Sequence, residues 1–521
     1  MIQAESFQPN DDQAPKRSAA RTFKTDICVY GGNSGGVIAA LTARKNGQTV
    51  TLLEPSNHLG GLTSGGLGYS DIGNKFAIGG LARQFYERMG KKYGQDEAWL
   101  FEPQVARSVF EEWLDEMNIV CHFGSFLDTV QMHQGRIKQI TTLNGITVQA
   151  KQFIDTSYEG DLMAKAGVSY TVGREDNDVY GETYNGQQML DKHQFNFDVD
   201  PYIVPGDPAS GLLPGIDDGP YQQGKGDHRV QAYNFRLCLT DDATKRVPFT
   251  QPENYNPADY ELLRRYCQAG YIPEFDKFDR LVNDVYDMNN WGAISSDYIG
   301  MNHDYPEASY AEREKIFQAH VTWTKGLLWF WLTDPSVDKS FQNRFRTFGW
   351  NAEAFKESDH FPPALYVREA RRMVSDVVMT EHHCTGYEII SDAIGLAAYV
   401  MDSHNCRRIV VDGKVRNEGD VQIHSGPPYP ISYQCIVPKR GECTNLFVPY
   451  CLSASHIAFG SIRMEPVFMI LAQSAVEAAT IAIKNRVDVQ AVSYTKLKSR
   501  LRQVNQIVEP VPMVNDIQAG E

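Results

Sequence analysis

The sequence predicts an α/β fold in which the two ends of the chain share one parallel sheet and the middle forms a mixed α+β unit. Three observations carry that reading. The first is a run near the start: an apolar strand, Ile27-Cys28-Val29-Tyr30, then Gly31-Gly32-Asn33-Ser34-Gly35-Gly36, then an Ala-rich helix from Val37 to Asn46 stopped by Gly47. A second strand, Val50-Thr51-Leu52-Leu53, follows and ends on Glu54. The second observation is a set of short alternating strands, Val120 to Phe126, Thr129 to Met132, Ile137 to Leu143 and Ile146 to Ala150, with turns at Gln134-Gly135 and Asn144-Gly145. The third is a late return to α/β patterning, with a strand over Asn445 to Pro449 and a helix opened by Glu465-Pro466.

Strand, glycine turn, helix, strand, acid is the Rossmann-like order. It lays a pyrophosphate on a helix N-terminus and hands a ribose hydroxyl to a carboxylate. Gly31, Gly32, Asn33, Ser34, Gly35, Gly36 and Glu54 are therefore the expected dinucleotide contacts. Gly31 allows the tight turn, and a side chain at Gly36 is expected to push the helix off the sheet. Asn33 stands where the strict spacing asks for glycine, and asparagine tolerates left-handed backbone better than most residues. A bare glycine motif can also be an ordinary turn; here both strands, the helix and Glu54 are in register. Glu54 would repel a 2′-phosphate, which disfavours NADP. Directly downstream, Leu59-Gly60-Gly61-Leu62-Thr63-Ser64-Gly65-Gly66 has no counterpart in a plain NAD domain. It reads as a second diphosphate loop, adds Gly60, Gly61, Leu62 and Thr63 to the contacts, and moves the expected cofactor to FAD.

The expected organisation is a disordered tail over 1–22, an FAD-binding part over 23–172, a substrate or cap domain over 173–435, the rest of the FAD-binding domain over 436–490, and a C-terminal helix and tail over 491–521. Ile78 to Tyr93 and Glu102 to Met117 read as amphipathic helices. The β-meander is of the kind that glutathione-reductase-type FAD domains carry. Phe153 to Thr156 reads as a return strand, and Ser157 to Asp161 as the start of a helix beside the cofactor, with Leu127, Asp155 and Thr156 as further contacts. The middle is dense in aromatic residues, among them Tyr298, Tyr305, Trp323 and Trp331, whose default role is core. Leu452 to Met464 reads as a loop. The helix after it would point its positive N-terminus at the flavin N1 and C2 carbonyl, near Ser461, Ile462 and Arg463.

The bulk properties narrow the class. At 521 residues the chain can bury a large core. A net charge of −15 argues against a nucleic-acid partner. Nine scattered cysteines with no Cys-x-x-Cys pair point to neither a metal site nor a disulfide framework. Met1 to Thr22 lacks the apolar stretch of a signal peptide, so a cytoplasmic location is expected, although a trimmed export signal is compatible with it. No apolar run reads as long enough to span a membrane.

Several long motifs in order resemble a group of bacterial FAD-dependent oxidoreductases, some loosely labelled xanthan lyases. The matching runs are Gly31 to Val37, His58 to Leu67, Ile154 to Asp161, Arg368-Glu369-Ala370-Arg371-Arg372 and Ser453-Ala454-Ser455-His456. The resemblance implies a two-dinucleotide fold and FAD, and no defined substrate. Four residues are the catalytic candidates. His456 leads, because its loop runs into the helix expected to face the ring and a histidine titrates near neutral pH. His404 is second. Arg368 and Arg372, with Arg371, recur at helical spacing and could clamp a carboxylate or oxyanion, or else line a solvated helix face. The expected reaction is oxidation of a CH–OH group of a small polar, sugar-like or hydroxy compound, with hydride transfer to flavin N5 and an unknown electron acceptor. The alternatives are reduction of a C=C or C=O bond, a polysaccharide lyase, or a flavin-binding protein without turnover.

Overall fold

The structure, a computed structural model, describes residues 21–511. Of the expected N-terminal tail, residues 1–20 lie outside the described residues, while Arg21 and Thr22 already belong to the first strand, β1 (Arg21–Tyr30). Its first half is polar and partly exposed, so hydrophobic periodicity misses it. It is a strand because it pairs residue by residue with a distant partner.

The N-terminal elements follow the predicted order: α1 (Ser34–Lys45), β2 (Val50–Leu53), a short α2 (Gly61–Ser64), α3 (Gly80–Lys92), α4 (Pro103–Glu116), β3 (Cys121–His122), β4 (Leu127–His133), β5 (Arg136–Thr142), β6 (Ile146–Asp155) and α5 (Asp161–Lys165). One seven-stranded sheet runs β3-β2-β1-β6-β5-β4, and β20 (Leu446–Phe447) also pairs with β6. The return strand expected at Phe153 is the second half of β6. Val148 and Thr147 pair antiparallel with β5 inside the meander, whereas Phe153 and Ile154 pair in parallel with β20. β6 runs parallel to β1 along its length. A single ten-residue strand thus couples the meander to the parallel sheet.

The middle of the chain contributes β7 (Tyr170–Thr171), α6 (Asn177–Tyr180), β8 (Leu237–Thr240), β9 (Arg246–Val247), α7 (Glu261–Gln268), β10 (Phe278–Arg280), β11 (Val285–Met288), α8 (Tyr310–Thr333), α9 (Lys339–Phe345) and β12 (Gly349–Asn351). β8 to β12 form a five-stranded antiparallel sheet in the order β10-β11-β8-β12-β9. A second core lies against it, and the aromatic residues fill it: Tyr260, Trp323, Phe330, Trp331, Phe345 and Trp350 are buried there. α8 opens with a capping box, Ser309 and Glu312, which satisfies its free N–H groups.

Then come β13 (Arg372–Met373), α10 (Glu381–Cys384), β14 (Ala393–Ala397), β15 (Met401–Ser403), β16 (Arg407–Val411), β17 (Lys414–Glu418), β18 (Val421–Ile423) and β19 (Tyr429–Ser432). Met379, Ile394, Met401, Tyr429 and Ile431 from this stretch are buried in the first core, with α1 and the C-terminal helices. Residues of the expected 173–435 unit thus contribute to both cores. The chain closes with β20, α11 (His456–Ile462), α12 (Glu465–Asn485) and α13 (Tyr494–Gln503). Residues 512–521 of the expected C-terminal tail lie outside the described residues. α12 is long and apolar enough to cross a membrane, contrary to the sequence reading, and 94% of its most apolar stretch is buried inside the protein, where it packs on α1.

Candidate functional site

The glycine turn has the predicted strand–turn–helix form, with two reasons revised. Gly31 has φ +111°, which favours glycine. A Cβ on Gly36 would stand 1.8 Å from the carbonyl oxygen of Gly31, so the glycine is required by the turn itself rather than by helix–sheet spacing. Asn33 is not left-handed: its φ is −73°, and it is the N-cap of α1, its Oδ1 accepting from the Gly36 N–H at 3.0 Å. The second glycine cluster is bonded to the first, the Gly60 N–H donating to the Gly32 carbonyl at 2.7 Å. Glu54 accepts from the N–H groups of Gly32 and Ser56. Burial raises its pKa against those bonds.

A carboxylate holds this corner together. Glu465, the first residue of α12, accepts from Ser34 Oγ of the glycine turn, from Thr63 Oγ1 at 2.7 Å and from Tyr158 Oη at 2.7 Å. Tyr158 Oη in turn accepts from the Leu62 N–H at 3.0 Å. Tyr450 Oη accepts from the Gly35 N–H at 2.8 Å. Residues of five segments meet here, and sequence reading named neither tyrosine's role nor that of Glu465.

Gly31, Asn33, Glu54, Gly61 and Tyr158 line one cavity of about 310 Å³, which continues past Phe126 to Tyr305 and Arg313. These residues fit the adenosine-diphosphate half of FAD. Glu54 spends two of its roughly four acceptor positions on backbone N–H groups, and the others would take ribose hydroxyls. The N-terminus of α1 presents its positive end to the same space. Asp155 and Thr156 lie behind the cavity. Asp155 accepts from Ser157 and from the Met163 N–H, and burial pushes its carboxyl up to about 6. Thr156 donates to the carbonyls of Tyr30 and Gly31. The side chains of Leu127 and Ile462 are core, and Ser461 Oγ donates to the Tyr399 carbonyl. None of the three lines this cavity.

The catalytic candidates are all buried polar residues. His456 is not in a loop. It is the first residue of α11, with Nδ1 2.8 Å from Glu369 and Nε2 3.0 Å from Ser403 Oγ. His404 sits between two acids, Nδ1 at 2.9 Å from Asp297 and Nε2 at 3.3 Å from Asp402. Burial and Arg368 oppose its charge, but the two carboxylates outweigh them and raise its pKa. The arginines share no helix face: Arg372 lies in β13 and Arg368 in irregular chain, and both are buried rather than solvated. Arg368 is 3.0 Å from Asp297. Arg371 pairs with Asp161 at 2.8 Å and Glu307 at 2.7 Å. Arg372 bonds Glu175 at 2.7 Å and the Ala454 carbonyl at 2.6 Å, a cross-link that leaves no clamp for a ligand.

Arg463 donates to Tyr366 Oη at 2.9 Å and to Asp402 at 2.9 Å. The guanidiniums of Arg368 and Arg463 stand 4.6 Å and 5.6 Å from the centre of the Tyr366 ring, within cation–π range. Tyr366 packs on Leu62 and Leu67 of the second glycine cluster, so this cationic pair borders the cofactor loop. Glu369, Asp297, Asp402 and Tyr366 are thus site residues that sequence reading did not assign. Only Glu369 carried a usable signal, through its place among the three arginines.

The family model described as FAD dependent oxidoreductase matches residues 26–501. No curated protein matches the chain. Solved structures give short, distant overlaps. A 3-ketosteroid-Δ4-(5α)-dehydrogenase from Rhodococcus jostii RHA1 shares 14% identity over 28% of this chain and 49% of its own, with a TM-score of 0.20. L-proline dehydrogenase from P. horikoshii shares 18% over 31% and 26%, at 0.18. An L-amino acid deaminase from Proteus vulgaris shares 15% over 30% and 61%, at 0.24. The chain spans less than two thirds of each, and likenesses this slight say nothing about substrate. The family match, by contrast, runs from β1 into α13 across every residue that lines the 310 Å³ cavity, and on it the chain belongs to the FAD dependent oxidoreductases.

Proposed function

We propose that this FAD-dependent enzyme oxidises a CH–OH group of a small polar molecule, sugar-like or hydroxy-bearing. The observation that carries the reading is the Ser403–His456–Glu369 chain. A carboxylate on Nδ1 holds the imidazole in the tautomer whose Nε2 accepts a proton, and a hydroxyl already sits on that nitrogen. A substrate hydroxyl in place of Ser403, or relayed through it, would lose its proton there. Arg368 and Arg463, spread around Tyr366, supply positive charge beside the second glycine cluster, where an oxyanion could be held. When bound, FAD supplies the hydride acceptor. The three-stranded meander β4-β5-β6 supports assigning the cofactor part to the glutathione-reductase type.

One observation favours the opposite direction, reduction of a C=C or C=O bond. His404, raised by Asp297 and Asp402, is suited to donating a proton rather than accepting one. Anaerobic mixing of the flavin-loaded protein with sugars, hydroxy acids and amines separates the two. Bleaching by a hydroxy compound supports oxidation; silence across the panel, with reoxidation of the photoreduced enzyme by enones or ketones, supports reduction. His456→Ala is expected to keep its flavin and slow substrate-driven bleaching about 10²–10⁴-fold in stopped flow. A rate within a few-fold of wild type would return His456 to a packing role.

A further inference from the structure

Adjacent residues of β16 differ in a way the flavin chemistry does not explain. Arg407 is ion-paired, 3.2 Å from Glu418 and 3.5 Å from Asp217. Arg408, 4% exposed, has no such partner. Its Nη2 donates weakly to the Ala293 carbonyl at 3.3 Å, and its Nε has no acceptor. Among the described residues no carboxylate lies within 4.0 Å of the Arg408 guanidinium. Burial pulls it down to about 10, with Asp297 acting on it only from a distance. A buried cation without a partner is costly, and native proteins rarely keep one unless something else satisfies it.

That guanidinium lines a cavity of about 40 Å³ that shares no residue with the nucleotide cavity. One wall is a stack of rings. Trp323 lies 4.9 Å from Tyr260 and 4.8 Å from Tyr298, with interplanar angles of 13° and 10°. Gly215, Met301 and the exposed Asp259 also border the cavity. A cavity of this size, several times the roughly 10–15 Å³ that one water needs, has room for a small ligand only. A second negative charge on that ligand would meet Asp259.

We propose that the Arg408 cavity is a binding site for a small monocarboxylate, its carboxylate on the guanidinium and a short uncharged tail along the Tyr260–Trp323–Tyr298 rings. The site stands independently of the hydride-transfer reading. Isothermal titration calorimetry on the full-length, flavin-loaded protein tests it, with propionate as the probe. Propionate is expected to bind with a Kd on the order of 1 mM. Propionamide, which lacks the charge, and succinate, which adds a second one, are expected to bind at least tenfold more weakly. These comparisons need only wild-type protein. Arg408→Gln is expected to weaken propionate at least tenfold. Met301→Trp, which leaves Arg408 intact and narrows the cavity, is expected to do the same. Absence of saturable heat with propionate, equal binding of propionamide, or undiminished propionate binding in folded Arg408→Gln would each overturn the site.

Discussion

The glycine corner and the buried charged residues are built in different ways. At the glycine corner the donors around the turn are backbone N–H groups: Gly60 to the Gly32 carbonyl, Gly36 to Asn33 Oδ1, and Gly32 and Ser56 to the Glu54 carboxylate. The Glu465 side chain ties the segments together. Among the charged residues the ion pairs mostly join side chains from remote segments. His456 meets Glu369 across 87 residues, and His404 meets Asp297 across 107. A site built on backbone donors depends first on backbone shape. A side-chain site tolerates backbone adjustment but not the loss of one partner, because the other is left charged and dry.

The sharpest way to break this contrast is Gly36→Val. The added Cβ would overlap the Gly31 carbonyl, which is backbone and cannot swing away. Protein that is stripped of flavin and destabilised by about 4 kcal/mol or more is expected, at the upper end of single substitutions. Flavin absorbance per chain and a denaturant melt read it. Normal flavin occupancy would show that the turn is not held by its backbone.

Next in size is Arg368→Met. It removes one member of a buried pair and leaves Asp297 with His404 alone. A loss of about 3–5 kcal/mol in chemical denaturation is expected. The double variant with Asp297→Asn is expected to lose less than the sum of the singles, because the two side chains share one interaction. Additive losses would mean that these charged residues are a set of independent packing residues.

The smallest effect sets the two regions apart by pH. Asp155, behind the glycine turn, is raised by burial to about 6. Folding favours its protonated form, so its stabilising contribution is whole below the unfolded value of roughly 3.9 and is lost as pH rises through about 6. Glu175, beside Arg372, behaves in the reverse sense. Burial would raise it, but Arg372, Asn185 and the His456 N–H outweigh burial and hold it at about 2. Its contribution is whole above the unfolded value of roughly 4.3 and is lost as pH falls towards about 2. Each shift corresponds to about 3 kcal/mol at most. In urea melts across pH, Asp155→Asn is expected to flatten the decline between about pH 4 and 6, and Glu175→Gln the decline on the acid side. Unchanged profiles in both variants would assign the pH response elsewhere.

Some elements were misread for identifiable reasons. The half of β1 before Ile27 is polar because it pairs through its backbone at a partly exposed edge. α11 was hidden by Gly460 and by small residues that pack closely against β15; a Cβ at Gly460 would stand 2.4 Å from the Asp402 carbonyl oxygen. The Arg368, Arg371 and Arg372 spacing imitates a helix, yet each arginine is drawn to a different acid: Asp297, Asp161 and Glu175.

By itself the sequence determined the strand–turn–helix, the acid at the end of β2, the second glycine cluster, the return of the chain as β20 and α12, and FAD as the cofactor. These follow from local rules: glycine where φ is positive or no Cβ fits, apolar periodicity in the strands and helices, and proline at a helix start. Only the tertiary structure decided that Glu465 would gather Ser34 from 431 residues away, that Tyr366 would stand between two arginines and the second glycine cluster, and that Arg408 would find no acid among the described residues. Such choices leave no periodic trace. A charge can be buried only where distant segments bring its partners, and those meetings are settled by how the two cores close on each other.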